Sequence, residues 1–581
     1  MIGYTKYSIC NELKLNLKQY HFEGVQNYIP IYNEFFKLNS TNFNSIQLSH
    51  PYYLSNIDSY GLYPHTYNTR VRNSATGKLR TAEMFIKEAP ILDPFKLLTG
   101  ELRNQLDLVT KLPDIRADST LFPKMLNPYN ASYVDGLFNY INGLMREDGF
   151  IHGVEFYGSF LAIKNNYTFN ITEDLMYLIH SKYFKQNIDK LYTISRNIFD
   201  VPKLDITPYT KNTEDTPFED IIDITADEPE EINTDSVDIP EYDESMVEQI
   251  DPKSTHMVDN SDIDSISTIS DEASENEDEL ISIGKIIHNA GLDIDTLENM
   301  DDTSTICSEE DSETSSYSDS EPEDIFATIP KFPVHMICIE QCVDTLDSLL
   351  IGNELNEEEL FSCMFQIIMI LITYQKSFGF THNDLHTNNI VFTDTNKKFI
   401  LYTYHNVQYK VPTYGKIYKI IDFGRSIYTI HGRLICGDSY NKKEDAYSQY
   451  NFGPCYNPNH PLVEPNYSFD LCRLACSMID IFIPDSDAIT HITPFSRLIL
   501  QLCTDDKGKY VLYKKTNTER YPEFKLYKMI ARTVHAHTPE NVMTMECFQK
   551  YLYIDGAGPT KSTCMVNIDE FINKVKNWGH P

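Results

Sequence analysis

At 581 residues the chain is long enough for several average domains, and its formal charge is −36. Between Asn212 and Thr328 lie 38 acidic and two basic residues, so the remainder carries 47 of each sign and is neutral. That balance excludes a basic nucleic-acid stripe, and no uninterrupted apolar run nears the ~18 residues of a membrane span, the longest being Ile367 to Ile372. The twelve cysteines are scattered from Cys10 to Cys564 without a C-x-x-C pair, and the start carries no secretory pattern. Both features predict a reduced, cytoplasmic chain without disulfides or structural zinc. Cys472 and Cys476, four apart on a predicted helix, read as core packing.

Residues 1–50 match no pattern and read as an N-terminal extension. Tyr67 to Arg72 and Arg80 to Lys87 are β-prone runs around the polar turn Asn73 to Lys78, which predicts a hairpin. Ser132 to Leu144 has a helical period, with Asn130 as its cap. Ile151 to Leu161 reads as a strand, and Glu173 to Ile198 as helical material. Residues 205–330 form an acidic insertion too poor in apolar groups to offset its chain entropy, and disorder is expected there. Serine–acid runs such as Ser308-Glu309-Glu310-Asp311 and the apolar stretch Leu280 to Ile287 lie inside it. It is a solvated spacer or a surface for a basic partner. Val334 to Glu340 is the next strand, Thr345 to Leu350 begins a helix, and Glu357 to Phe378 is apolar on most sides, a buried helix.

The octad His382-Asn383-Asp384-Leu385-His386-Thr387-Asn388-Asn389 follows that helix. Thirty-eight residues past Asp384, the apolar run Ile420-Ile421 ends in Asp422-Phe423-Gly424. Phosphoryl transfer from ATP needs these groups: one carboxylate for the acceptor hydroxyl, and an amide plus a second carboxylate for magnesium. In residue type, spacing and order, H-x-D-L-x-x-x-N and D-F-G match the protein-kinase catalytic and magnesium loops. The chain therefore resembles the protein-kinase-like superfamily, and most of all the divergent serine/threonine-kinase-like proteins of giant DNA viruses of the mimivirus type.

The resemblance implies an α+β, bilobal protein-kinase-like fold. Residues 51–204 would form the smaller lobe, 331–350 its fifth strand and hinge, and 351–581 the mainly helical larger lobe. It implies Asp384 as base, Asn389 and Asp422 as magnesium ligands, and His382 and Asp470 as shapers of the catalytic loop. Lys87, ending Met84-Phe85-Ile86-Lys87, would clamp the ATP phosphates. Its partner acid would be Asp135, one methylene shorter than the family's glutamate, so that the lobe must close tighter; Glu101 is the alternative. Glu340, Gln341 and Cys342 would meet adenine. Three departures accompany the match. Between His50 and Lys87 the only glycines are Gly61 and Gly77, so no glycine-rich loop is present and the amides around Asn56 to Gly61 are left to cover phosphates. Asn383 replaces the arginine that reads activation-loop phosphate. His386 stands where haspin-like protein kinases and small-molecule kinases of the aminoglycoside type also carry histidine. The alternatives to a Ser/Thr protein kinase are a pseudokinase scaffold and a small-molecule phosphotransferase.

Overall fold

In the turn between the two β-prone runs, Asn73 Oδ1 accepts hydrogen bonds from the amides of Ala75 and Thr76, and Gly77 takes a φ of +70°. This fixes the register of β3 (Thr66–Asn73) against β4 (Leu79–Pro90), as the local sequence predicts. The computed structural model describes residues 2–6, 9–116, 120–196, 324–483, 492–514, 518–522, 524–554 and 560–578, all of which belong to one unit. Most of the acidic insertion, with its serine–acid runs and Leu280 to Ile287, lies outside the described residues.

The described residues form a mixed α+β fold built largely on antiparallel sheets. The main sheet also contains β1 (Phe22–Gln26), β2 (Tyr52–Tyr60), β5 (Phe156–Asn170) and β6 (Phe326–Glu340), in the order β1-β5-β6-β4-β3-β2. Residues before 51 thus supply an edge of this sheet. Against it packs α1 (Ala131–Glu147), capped by Asn130, whose Oδ1 accepts from Ser132 N at 3.0 Å.

Two strands differ from the sequence pattern. Ile151 to Glu155 is a turn, and β5 begins only at Phe156 and runs to Asn170. His152 is the reason: it is buried, with one ring nitrogen on Tyr418 O and the other on the Tyr402 hydroxyl, both at 2.7 Å. The strand read from Val334 begins earlier, at Phe326, because β6 pairs along most of β5.

After β6 come α2 (Leu346–Ile351) and α3 (Glu357–Phe378), the latter opened by a reciprocal capping box between Asn356 and Glu359. By length and mean hydropathy α3 would cross a membrane, contrary to the reading from uninterrupted runs, yet 89% of its most apolar window is buried inside the protein. Beyond α3 lie β7 (Ile390–Asp394), β8 (Phe399–Tyr404), β9 (Val407–Pro412), β10 (Lys416–Ile420), β11 (Ile427–Ile430) and β12 (Arg433–Cys436). The chain then forms α4 (Phe469–Phe482), α5 (Pro494–Leu502), α6 (Lys525–Thr533), β13 (Thr563–Asn567) and α7 (Ile568–Lys576), with β13 parallel to β8.

Candidate active site

The octad forms the turn between α3 and β7, and Asp422 the turn after β10, so the antiparallel β7–β10 pair holds the two motifs together. Ile421 N donates to Asn389 O at 3.0 Å. Asn383 and Asp422 both adopt φ of +65°, a left-handed conformation that Asn and Asp tolerate best among residues with a Cβ.

Asp470, at the start of α4, is fully buried and accepts from His382 N at 2.9 Å and Asn383 N at 2.8 Å. Burial holds its carboxyl above the usual carboxylate range, although His382 and the two amides pull the other way. His382 Nε2 faces Ile421 O at 3.0 Å, so that nitrogen carries the proton and donates. Nδ1 is left to accept from Asp384 N at 3.3 Å. Asn389 Nδ2 donates to Asp384 O at 2.9 Å, which turns its Oδ1 outward as the free acceptor of that amide. One buried carboxylate and one imidazole thereby set the backbone of the whole turn.

Lys87, on β4, bridges two carboxylates: Nζ lies 2.7 Å from Asp135 Oδ2 and 2.8 Å from Asp422 Oδ1. Asp135 comes from the buried face of α1, and its Oδ1 also accepts from Phe423 N at 2.9 Å. The one-methylene deficit is met by close approach of the helix. A Cβ on Gly136 would fall 2.2 Å from His335 Cε1 on β6, and one on Gly143 would fall 2.7 Å from Phe156 Cβ on β5. The alternative acid, Glu101, is exposed and meets the Thr99 hydroxyl. Burial lowers Lys87, but Asp135 and then Asp422 outweigh it and hold the ammonium above its usual range. Burial holds Asp135 above the usual carboxylate range against the pull of Lys87, and Asp422 adds to the rise. For Asp422 burial is outweighed by Lys87, and its carboxyl sits below the usual range.

Glu340 closes β6. Its side chain accepts from buried Lys419 and, at 2.9 Å, from Glu155 N, and its own amide donates to Glu155 O at 3.0 Å. Cys342 follows, half-buried between Gln341, whose amide donates to Glu83 O, and Val343, whose amide donates to Phe392 O. The backbone at Cys342 is therefore held on both sides.

Part of the segment expected to cover phosphates is engaged elsewhere. Asn56 to Tyr60 lie within β2 and pair with β3. In the following turn Gly61 N donates to Thr66 O and Tyr63 N to Thr66 Oγ1. Gly61 is needed there for closure, since a Cβ would stand 2.3 Å from Thr66 Oγ1. Leu62 at the tip is 85% exposed. Among the described residues no three His, Cys, Asp or Glu side chains gather as a metal-binding group.

Several residues at the site carried no recognised signal. Arg425, directly after Gly424, places Nη1 3.5 Å from Asp384 Oδ2 and also pairs with Asp445. Tyr527, on α6, donates its hydroxyl to Asp384 Oδ1 at 2.7 Å. Asn383 is buried and fully engaged: Nδ2 donates to Thr381 and to Arg425 O, and Oδ1 accepts from the Tyr450 hydroxyl at 2.7 Å. His386 is half-buried beside Asp384, and burial keeps its pKa below the usual value.

No family model matches the chain. Over 201 residues, 33% of the chain, it is 26% identical to the uncharacterized protein 098R of Invertebrate iridescent virus 6. Over 77 residues, 13% of the chain, it is 35% identical to a serine/threonine-protein kinase haspin homolog of Drosophila melanogaster. The matched stretches span 30% and 14% of those two proteins. The chain is thus similar, in part, to a viral protein and to a protein kinase.

Proposed function

We propose that the chain has a bilobal protein-kinase-like fold and transfers the γ-phosphoryl group of MgATP to a serine or threonine hydroxyl of a protein. The observation that carries this reading is the position of Lys87, within 2.8 Å of both the α1 acid Asp135 and the D-F-G acid Asp422. A solvated strand-end lysine has no reason to join two carboxylates from distant parts of the chain, and the pair orients an ammonium for phosphate oxygens. The partial match to a haspin homolog supports the protein-kinase side.

The donor set fits magnesium nucleotide. Asp422, with 47% of its side chain exposed, and Asn389 Oδ1 would be hard oxygen ligands, too few for a metal cage. That suits an ion that keeps waters and arrives with phosphates. Bound MgATP would supply the phosphoryl group and neutralise charge on its β- and γ-oxygens. Lys87 would hold the phosphates, and the backbone of Glu340 and Cys342 would face adenine. Asp384 would orient the acceptor hydroxyl and take its proton as the O–P bond forms and the bond to ADP breaks. His382 and Asp470 would keep the Asp384 backbone in place. With the Gly61–Thr66 turn bonded to itself, loop amides would add little to phosphate binding, and weak nucleotide affinity is expected.

Two specific observations favour other readings. The self-bonded turn favours a pseudokinase scaffold, and His386 a small-molecule phosphotransferase. Thermal shift with MgATP, then phosphate incorporation by wild type, Asp384→Ala and Asp422→Ala, separates them. Incorporation that persists in Asp384→Ala would refute the assignment. Absence of any nucleotide binding would favour the scaffold, and transfer to aminoglycosides or choline-like alcohols but to no protein would favour the third reading.

A further inference from the structure

The far wall of the Asp384 site is built by α6 and the residue preceding it. Tyr527 Oη, 2.7 Å from Asp384 Oδ1, stands where an acceptor hydroxyl must stand to give up its proton. Its ring stacks on Phe524, with centroids 4.9 Å apart and planes 16° apart. Cations surround this aromatic pair. Arg473 Cζ is 5.0 Å from the Tyr527 ring, Arg425 Cζ is 5.6 Å from the same ring, and Lys528 Nζ is 5.9 Å from the Phe524 ring. Arg532, one turn beyond Lys528, is exposed and anchored by bonds to Lys528 O and Ser448 O.

Among the described residues, Arg425 alone of these four cations meets carboxylates, Asp384 and Asp445. Arg473 Nε is buried without a hydrogen-bond partner. Burial and then the charges of Arg532 and Lys525 hold Lys528 below the usual lysine range, the mark of cations crowded without a counter-charge. Arg473 is steadied by Tyr527 and the charge of Asp384, but Lys528 and Arg532 meet no carboxylate among the described residues, and two such cations beside one acceptor position make a surface that selects by charge.

We propose that this surface recognises the acceptor peptide, that it takes a serine or threonine set among aspartate and glutamate side chains, and that Tyr527 Oη holds the acceptor's place until the peptide displaces it. The inference rests on the phosphotransferase reading for the transfer but not for the binding. The test uses three synthetic serine peptides, with glutamate, alanine or lysine flanks. Transfer is measured as kcat/KM, and binding by fluorescence anisotropy without nucleotide, on wild type, Lys528→Glu and the milder Lys528→Ala. The glutamate peptide is expected to lead the alanine peptide by at least about tenfold in kcat/KM. Lys528→Glu should remove that lead and weaken anisotropy binding of the acidic peptide, and Lys528→Ala should do both to a smaller extent. Added salt should weaken that binding further.

Asp384-dependent transfer with no preference for acidic flanks, or with a preference for lysine flanks, would overturn the inference and leave the proposed function standing. Binding of the acidic peptide that is lost in Lys528→Glu, without transfer to any peptide, would uphold the surface and overturn the proposed function. Absence of both binding and transfer would overturn the surface as well.

Discussion

Gly136→Ala tests how an aspartate serves where a glutamate is expected. The added methyl would lie 2.2 Å from His335 Cε1 and 3.0 Å from Nε2. Carbon atoms in contact sit about 3.5–4.0 Å apart, so α1 must retreat from β6 by more than about 1 Å. His335 cannot yield instead, because it is buried and its Nδ1 is bonded to Ser132 O at 2.8 Å on the same helix. The retreat would carry Asp135 away from Lys87, now 2.7 Å distant, and away from Phe423 N. Overpacking of this kind costs about 1–3 kcal/mol. At roughly 2–4 °C per kcal/mol for domains of 150–250 residues, the melting temperature should fall by about 2–12 °C. Differential scanning fluorimetry with and without MgATP measures both the fall and the loss of any nucleotide-induced shift. Asp135→Glu alone should also destabilise, since the site has no room for a methylene. In the Gly136→Ala background it should instead recover part of the nucleotide response by spanning the wider gap. A Gly136→Ala protein that melts like wild type would refute the close-approach argument.

Asp470→Asn keeps one acceptor for two buried amides and should cost about 1–2 kcal/mol in urea unfolding, against about 3–5 for Asp470→Ala. The amide does better than alanine because its oxygen still accepts from one of the two backbone amides, while both variants remove the buried charge. Burial lowers His335 to about 4 and His152 to about 3. Folded values below the usual ~6.5 mean that the stabilisation from each neutral imidazole is complete above that pH and is lost as pH falls toward 4 and 3. Melts between pH 7 and 4 should show a loss on the order of 3 kcal/mol per histidine, and His152→Gln should flatten the profile. Asn383→Arg, which introduces the residue that protein kinases usually carry before the catalytic aspartate, should unfold or aggregate rather than gain phosphate control. It would bury a guanidinium at a fully buried position with φ +65°, at a cost above about 3 kcal/mol, read as loss of soluble protein or of the cooperative melt.

What the sequence made legible was local or carried by motif order. The apolar period of α3, the hairpin turn at Asn73 and the cap at Asn130 are set by residues a few positions apart. The meeting of Asp470 with the octad and of Lys87 with Asp135 followed from the order of motifs known from the kinase resemblance. Other features depend on contacts that no period records. Tyr527 reaches Asp384 across 143 positions, and Lys419 reaches Glu340 across 79. Ile151 to Glu155 reads as strand only together with the apolar run that follows it, and His152 is drawn into bonds with Tyr418 and Tyr402 from later strands. The edge strand Phe22–Gln26 is short and irregular, with a register shift between Glu23 and Gln26, and it carries little alternation to detect. The glycines that let α1 approach the sheet were visible but unread, because a small residue in a helix signals close packing only when the opposing surface is known.

Asn383, the departure nearest Asp384, has a physical explanation in its hydrogen bonds. An arginine before the proposed base would need a counter-charge to stay near the site, and phosphate on the following segment is one way to supply it. Asn383 needs none. Its three polar groups are satisfied by Thr381, Arg425 O and the Tyr450 hydroxyl, all neutral. The segment after Gly424 is held in part by similar means: the Tyr440 hydroxyl donates to Arg425 O at 2.6 Å. Neutral hydrogen bonds inside a low-dielectric core do not depend on a modification or weaken greatly with salt. Arg425, the cation that does stand beside Asp384, already has Asp445 as its partner and does not await a phosphate. The loss of the arginine is therefore coherent with a segment whose order is built in, and control over this site would act at its open face, on α6, rather than through that segment.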